Sequence, residues 1–156
     1  MQTINQSRTL TPKQMEKVNT IWNRVYPVQV KDRLASFLNE TDEQHHFYIE
    51  NEKNELIAWS VFILSKDEWR FSLLVDTPYQ GMGLGSILLT EMKKKKNNFF
   101  GWVVDHDNDV TVDGNKYRSP LLFYQKNGFN ILTGRRLETP LFSGREVKWE
   151  GENLSY

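Results

Sequence analysis

The segment best suited to chemistry is a run of glycines at alternate positions. Gly81, Gly83 and Gly85 stand directly before apolar residues that recur at helical spacing from Leu84 onward. Glycine leaves the main chain uncovered, and the first amide hydrogens of a helix have no partner within the helix. The helix dipole adds partial positive charge at the same end. The spacing therefore predicts a main-chain site for a phosphate or pyrophosphate.

The same residues argue against two common nucleotide-binding loops. A P-loop has Lys after its last glycine, whereas Ser86 follows Gly85 here. A dinucleotide-binding fingerprint has the spacing G-x-G-x-x-G at the first strand of a βαβ unit, whereas this G-x-G-x-G run follows several predicted strands. ATP, GTP and dinucleotides are therefore poor candidates.

A second informative segment follows about 40 residues later. Residues 122–129 read Leu-Phe-Tyr-Gln-Lys-Asn-Gly-Phe, with Tyr124 inside a predicted helix. Gly128 ends that helix, and Phe129 begins a strand that returns to the core. The pattern places one phenol on a short helix after the glycine loop.

Together the two segments resemble the two motifs of the GNAT superfamily of N-acetyltransferases, over about residues 44–133. Gln80, Gly83 and Gly85 match its acyl-coenzyme A signature [Q/R]-x-x-G-x-[G/A], and residues 123–129 match F-Y-x-K-x-G-F. The resemblance implies acetyl-CoA as the acyl donor. It also implies that the donor's pyrophosphate binds the main-chain amides of Gly81, Met82, Gly83, Leu84, Gly85 and Ser86, and that Gln80 is a further cofactor-binding residue.

The resemblance further implies roles for individual residues. Tyr124 would protonate the departing thiolate, since a phenol with a pKa near ~10 matches a thiolate of comparable basicity; a packed aromatic is the alternative. Leu74 and Val75 would meet the pantetheine arm through their main chain, where two strands splay apart. Many relatives carry Asn and Ala where this chain has Tyr117 and Pro120, so the pantetheine contact there is open, with Asn115 or Ser119 as substitutes.

The expected reaction moves an acetyl group to a primary amine of a small molecule or peptide, by direct attack in a ternary complex. An amine is protonated at neutral pH, so a base is needed. Asp105 is favoured because it ends the strand after the glycine-loop helix, and His106, Glu50 and Asp76 remain alternatives. Two other functions remain open: a non-catalytic coenzyme A-binding module, and transfer of another acyl chain or to a hydroxyl group.

The amino-acid composition argues against several classes of binding partner. Twenty basic and twenty acidic residues give no net charge, which disfavours nucleic acid and anionic membranes, and no apolar run is long enough for a membrane helix. The absence of cysteine suits the cytoplasm. No metal is expected, because adjacent His45 and His46 point to opposite faces of a strand and the Asp105-x-Asp107-x-Asp109 run lacks the later calcium ligands. A homodimer is left open.

The elements that must position these residues follow from periodicity. Two helices are predicted before residue 40, the first capped by Thr11 and Pro12, and alternation of apolar residues then predicts strands at about 45–50, 55–64 and 69–76. The glycine-loop helix, a strand at 99–105, a long polar loop at 105–119, the tyrosine helix and strands at 129–132 and 146–149 follow, with a weak edge strand at 2–8. The prediction is one α+β domain over 1–156, with a mostly antiparallel mixed sheet of about six to seven strands, about four helices and a splayed parallel pair.

Overall fold

The computed structural model describes residues 3–39, 41 and 43–151. Within them, seven strands form one sheet with the order β1-β2-β3-β4-β5-β7-β6. The strands are β1 (Asn5–Ser7), β2 (Gln44–Glu50), β3 (Leu56–Ser65), β4 (Glu68–Val75), β5 (Asn98–Val104), β6 (Asn130–Thr139) and β7 (Phe142–Glu150). The helices are α1 (Pro12–Val25), α2 (Leu34–Leu38), α3 (Leu84–Lys95) and α4 (Leu121–Lys126), with 3₁₀ turns at Val28–Val30 and Thr77–Tyr79. No helix in these residues is long and apolar enough to cross a membrane.

Helix α1 begins where the sequence predicts. The Thr11 side chain accepts a hydrogen bond from the Gln14 N–H, and the Gln14 side chain accepts one from the Thr11 N–H, so a capping box is formed. The predicted second helix is divided. Asp32 has a left-handed backbone, with φ of 62°, and separates the 3₁₀ turn at Val28–Val30 from α2. Two short helical elements therefore lie beside the sheet in place of one continuous helix.

The sheet carries a core on each face. Strands β2, β3 and β4 form an antiparallel meander, and the first eight residues of β3 are buried because helices cover both faces. Helices α3 and α4 pack on one face with Phe47, Phe62 and Phe99. Helices α1 and α2 pack on the other face with Trp59 and Val61. Apolar burial on both faces holds the central strands rigidly in place.

The parallel pair lies where the glycine-loop helix crosses the sheet. Strand β4 leads through the glycine loop into α3, and β5 returns beside β4 in the same direction. Strand β7 inserts between β5 and β6, antiparallel to both. The predicted α+β class, mixed sheet and splayed pair are confirmed.

Two strand predictions need correction in length. Strand β6 runs to Thr139, not to Leu132, and β7 begins at Phe142, so the pair forms a long hairpin. Residues 133–139 are mostly polar and exposed. They extend the strand because β7 pairs with residues 136–139 after a register shift between Leu132 and Arg136. The predicted edge strand at 2–8 is β1, paired with β2, and residue 2 lies outside the described residues.

Candidate active site

The site is built around a gap between β4 and β5. The two strands are bridged only at Arg70 and Phe100 among the described residues, and they separate beyond that point. Two carbonyl groups of β4 are capped by side chains: the Tyr26 hydroxyl donates to the Leu73 carbonyl at 2.8 Å, and Gln80 Nε2 donates to the Val75 carbonyl at 3.0 Å. The carbonyl groups of Leu73 and Val75 at the gap therefore already accept hydrogen bonds from side chains of the protein.

The direction of the β4 amides follows from these bonds. The N–H and C=O of one strand residue point to the same edge, and alternate residues point to opposite edges. Because the carbonyls of Leu73 and Val75 face away from β3, their N–H groups face the gap. The Asp76 N–H donates to the Ile57 carbonyl of β3, so Leu74 shares that direction. Val75 thus presents an N–H to the gap, whereas the main chain of Leu74, also predicted to meet the pantetheine arm, faces β3.

The glycine loop is open. Gly81 and Gly83 have φ near 82° and 81°, in a left-handed region that residues other than glycine rarely adopt. A Cβ atom on either residue would have no other atom within 4 Å. Gly85 is buried, and a Cβ there would lie 2.9 Å from the Phe123 ring. The first two glycines therefore set the turn, and the third allows α4 to pack closely on α3.

The same loop offers unused hydrogen-bond donors. The first helical bond of α3 runs from the Ile87 N–H to the Gly83 carbonyl. No acceptor in the described part of the chain takes a hydrogen bond from the N–H groups of residues 82–86. These donors sit at the positive end of a 12-residue helix. The loop therefore presents main-chain donors that no acceptor among the described residues satisfies.

Tyr124 lies at the other side of the gap, on α4. Its ring is 5% exposed and packs edge-on against Phe71 and Phe129, with ring centroids 5.5 and 5.2 Å away. No described residue forms a hydrogen bond with its hydroxyl, and the residue lines the cavity described below. Burial, together with neighbouring Tyr26 and Tyr117, raises the pKa of Tyr124 well above its ordinary value. The phenol is therefore a proton donor, not a base, at neutral pH.

A cavity of about 840 Å³ joins these features. It extends from the glycine loop through the gap to the face covered by α1 and α2. The predicted residues that line it are Leu74, Val75, Gln80, Gly81, Gly83, Leu84, Gly85, Ser86 and Tyr124. Met82 does not line it and is 65% exposed. Tertiary structure thus brings the two sequence motifs to one cavity.

Asp105 has a different environment from the one expected of a base. Its carboxylate accepts hydrogen bonds from Arg136 at 2.5 Å and Arg145 at 2.6 Å, and it does not line the cavity. Burial alone would raise the pKa of Asp105, but the two guanidinium groups outweigh it and hold the pKa below its ordinary value. The geometry therefore argues against Asp105 as the base. Glu50, Asp76 and His106 do not line the cavity either.

Several lining residues carry no signal in the sequence motifs. They come from the C-terminal end of α1, the start of α2, β4, the polar loop and the β6–β7 hairpin, and they include Tyr26, Arg33, Arg70, Tyr117, Arg118 and Phe142. Only Tyr117 could have been found from the sequence, since it replaces the Asn of many relatives. The suggested substitutes, Asn115 and Ser119, do not line the cavity, and the Ser119 hydroxyl instead donates to the Val104 carbonyl. Within the described ranges, no group of three or more His, Asp or Glu side chains could hold a metal ion.

Comparisons with known proteins agree with this architecture. The sequence model of the family described as Acetyltransferase (GNAT) domain matches residues 42–131. An aminoglycoside 6'-N-acetyltransferase solved with coenzyme A superposes with a TM-score of 0.68 at 16% identity, covering 94% of each chain. The ribosomal-protein-S18-alanine N-acetyltransferase from Escherichia coli superposes with a TM-score of 0.65 at 19% identity, covering 100% of each chain. No curated protein sequence is significantly similar to this chain.

Proposed function

This chain belongs to the GNAT acetyltransferase family, and from that premise we propose that it transfers the acetyl group of acetyl-CoA to a primary amine. The observation that carries the proposal is the set of unused N–H groups at residues 82–86, of which residues 83–86 line the same cavity as Tyr124. A diphosphate would satisfy those donors. The aminoglycoside acetyltransferase of similar fold binds coenzyme A, which supports the same carrier here.

In the proposed reaction, donor and acceptor are bound together. The amine nitrogen attacks the thioester carbonyl, and the Val75 N–H, which faces the gap, stabilises the negative charge that develops on the carbonyl oxygen. The C–S bond then breaks as the C–N bond is completed. Tyr124 donates its proton to the thiolate and recovers one from solvent, while the proton lost by the amine passes to water.

Water takes the amine proton in this proposal because no described lining residue is Asp, Glu or His. We therefore expect log kcat/KM to rise with pH up to the acceptor's own pKa, without an earlier plateau from an enzyme base.

Asp105→Asn should leave kcat within about threefold of the wild-type value, since general bases contribute about 100-fold or more. It should instead lower the thermal unfolding midpoint, because Arg136 and Arg145 lose their shared partner. A 100-fold loss of kcat in a normally folded Asp105→Asn variant would restore Asp105 as the base.

The pyrophosphate site can be tested without straining the loop. Met82 is exposed beside the unused donors, so Met82→Glu adds a negative charge with little effect on packing. We expect its Kd for coenzyme A to rise about fivefold at low ionic strength and less at 0.5 M salt, since salt screens exposed charges. Calorimetry measures both values, and Met82→Gln, which has similar size and no charge, should bind normally. Equal affinity of the two variants at low salt would argue against a phosphate at this turn.

A further inference from the structure

The cavity extends beyond the glycine loop to the face of the sheet that α1 and α2 cover. Side chains alternate between the two faces of β4. Leu73 faces α3, with its Cδ2 3.6 Å from the position of a Cβ on Gly85. Ser72 faces the opposite side, where its hydroxyl is hydrogen-bonded to Tyr26 of the α1 face. The glycine loop and the α1–α2 side therefore lie on opposite faces of the sheet, and the gap connects them.

The half on the α1–α2 face has aromatic walls and positive charge. Trp22 and Phe37 line it, and the Arg70 guanidinium lies 5.0 Å above the Phe37 ring. Arg33, at the start of α2, also lines it, and its side chain has no hydrogen bond or ion pair within the described residues. Arginine stays charged at every physiological pH.

The charged side chains that line the cavity within the described residues share one sign. Every charged side chain among the described lining residues is an arginine, namely Arg33, Arg70 and Arg118. The nearby carboxylates of Asp76 and Asp105 lie outside the lining and are neutralised by Arg24 and by Arg136 and Arg145. A polycationic acceptor would meet repulsion here, whereas an anionic group would be attracted.

We propose that the acceptor is an amine that also carries a carboxylate, with Arg33 binding the carboxylate on the α1–α2 face while the amine reaches the thioester through the gap. The inference rests on the proposed function. An arginine and a carboxylate make charge-assisted, often bidentate hydrogen bonds, so the pair would fix the acceptor's orientation as well as select its charge. The aromatic walls would accommodate an apolar portion between the two groups.

Matched acceptors test the inference through thiol release from acetyl-CoA. The pairs are 4-(aminomethyl)benzoate with benzylamine and phenylalanine with phenylalaninamide, and spermidine represents polycations; rates are corrected for the fraction of neutral amine. We expect each amine that carries a carboxylate to show about tenfold higher kcat/KM than the matched amine without one, and we expect spermidine to react most slowly. Arg33→Gln should reduce this preference at least fivefold. Arg8→Gln, an exposed arginine outside the cavity, should leave it unchanged.

Two results would overturn the inference. One is that an amine without a carboxylate, or spermidine, reacts faster than the amines that carry one. The other is that the preference for the carboxylate-bearing amines survives Arg33→Gln. Absence of thiol release with every amine, despite coenzyme A binding, would instead reject the proposed function. In that case the melting temperature with saturating coenzyme A decides the inference. Stabilisation by the carboxylate member alone, lost in Arg33→Gln, supports an anion subsite, and equal stabilisation by both members refutes it.

Discussion

Replacing Tyr124 by Phe is expected to lower kcat about 100-fold, because the variant keeps the packed ring and loses only the proton donated to the thiolate. The loss corresponds to about 2.7 kcal/mol of transition-state stabilisation. The KM for acetyl-CoA and the unfolding midpoint should change little, since no described residue depends on the Tyr124 hydroxyl for a hydrogen bond. Steady-state kinetics with acetyl-CoA and the best amine acceptor measure the effect.

A matched control separates acid catalysis from a general effect of tyrosine removal. Tyr48 is half-buried on β2 and does not line the cavity, so Tyr48→Phe should retain wild-type kcat. The raised pKa of Tyr124 also predicts that kcat does not fall up to pH 9 through loss of the phenolic proton. If kcat of Tyr124→Phe stays within twofold of wild type, the tyrosine only packs and another donor protonates the thiolate.

The second large effect concerns acid stability and originates at His46, which is fully buried on β2. The Trp59 Nε1–H donates to His46 Nδ1 at 3.0 Å, so Nε2 carries the proton and donates to Gln44 Oε1 at 2.9 Å. Both ring nitrogens of the neutral imidazole are thus satisfied. A second proton on Nδ1 would face the indole N–H, and burial, followed by the charge of His45, lowers the pKa of His46 to about 4.

The sign of the pH effect follows from this lowered pKa. The unfolded chain gains the His46 proton below its ordinary pKa of 6.5, and the folded chain gains it only near 4. This contribution to stability is therefore complete above pH 6.5 and is lost as the pH falls from 6.5 to 4. At 1.36 kcal/mol per pKa unit, the loss is about 3 kcal/mol. Urea denaturation at pH 7, 5.5 and 4.5 measures it.

Two variants isolate the contribution of His46 from that of the carboxylates. His46→Gln should be less stable than wild type at pH 7 but should lose less stability on acidification. His45→Gln should shift the curve in the same direction but by less, because the pKa of His45 is also lowered by burial and by Lys95, Lys96 and Arg8, while His45 is only partly buried. Parallel curves for wild type and His46→Gln would show that His46 does not limit acid stability.

Local patterns explain why the glycine loop and the tyrosine helix could be predicted. The positive φ angles of Gly81 and Gly83 require only that each position is a glycine, and so does the end of α4 at Gly128. The identity of a single residue is visible in the sequence. The capping box of α1 has the same local origin. The end of β6 could not be predicted in this way, because residues 133–139 read as a polar loop and form a strand only through pairing with β7.

The environment of Asp105 shows the same limit for the site. Its position at the end of β5 is evident from the sequence, but Arg136 and Arg145 reach it from the β6–β7 hairpin, 31 and 40 residues away. A carboxylate takes its proton affinity from the charges around it, and those charges are brought together only by the sheet. The arginines that line the cavity come from segments as distant as the start of α2, β4 and the loop before α4.

The sequence by itself therefore determined the family resemblance, the uncovered main chain of the glycine loop and the phenol on α4, since each depends on residues that are neighbours along the chain. Tertiary structure alone decided which strand amides face the gap, which carboxylates are neutralised and which charges line the cavity. Those properties are set by strand register and by long-range electrostatics, and both depend on residues that meet only after the chain has folded.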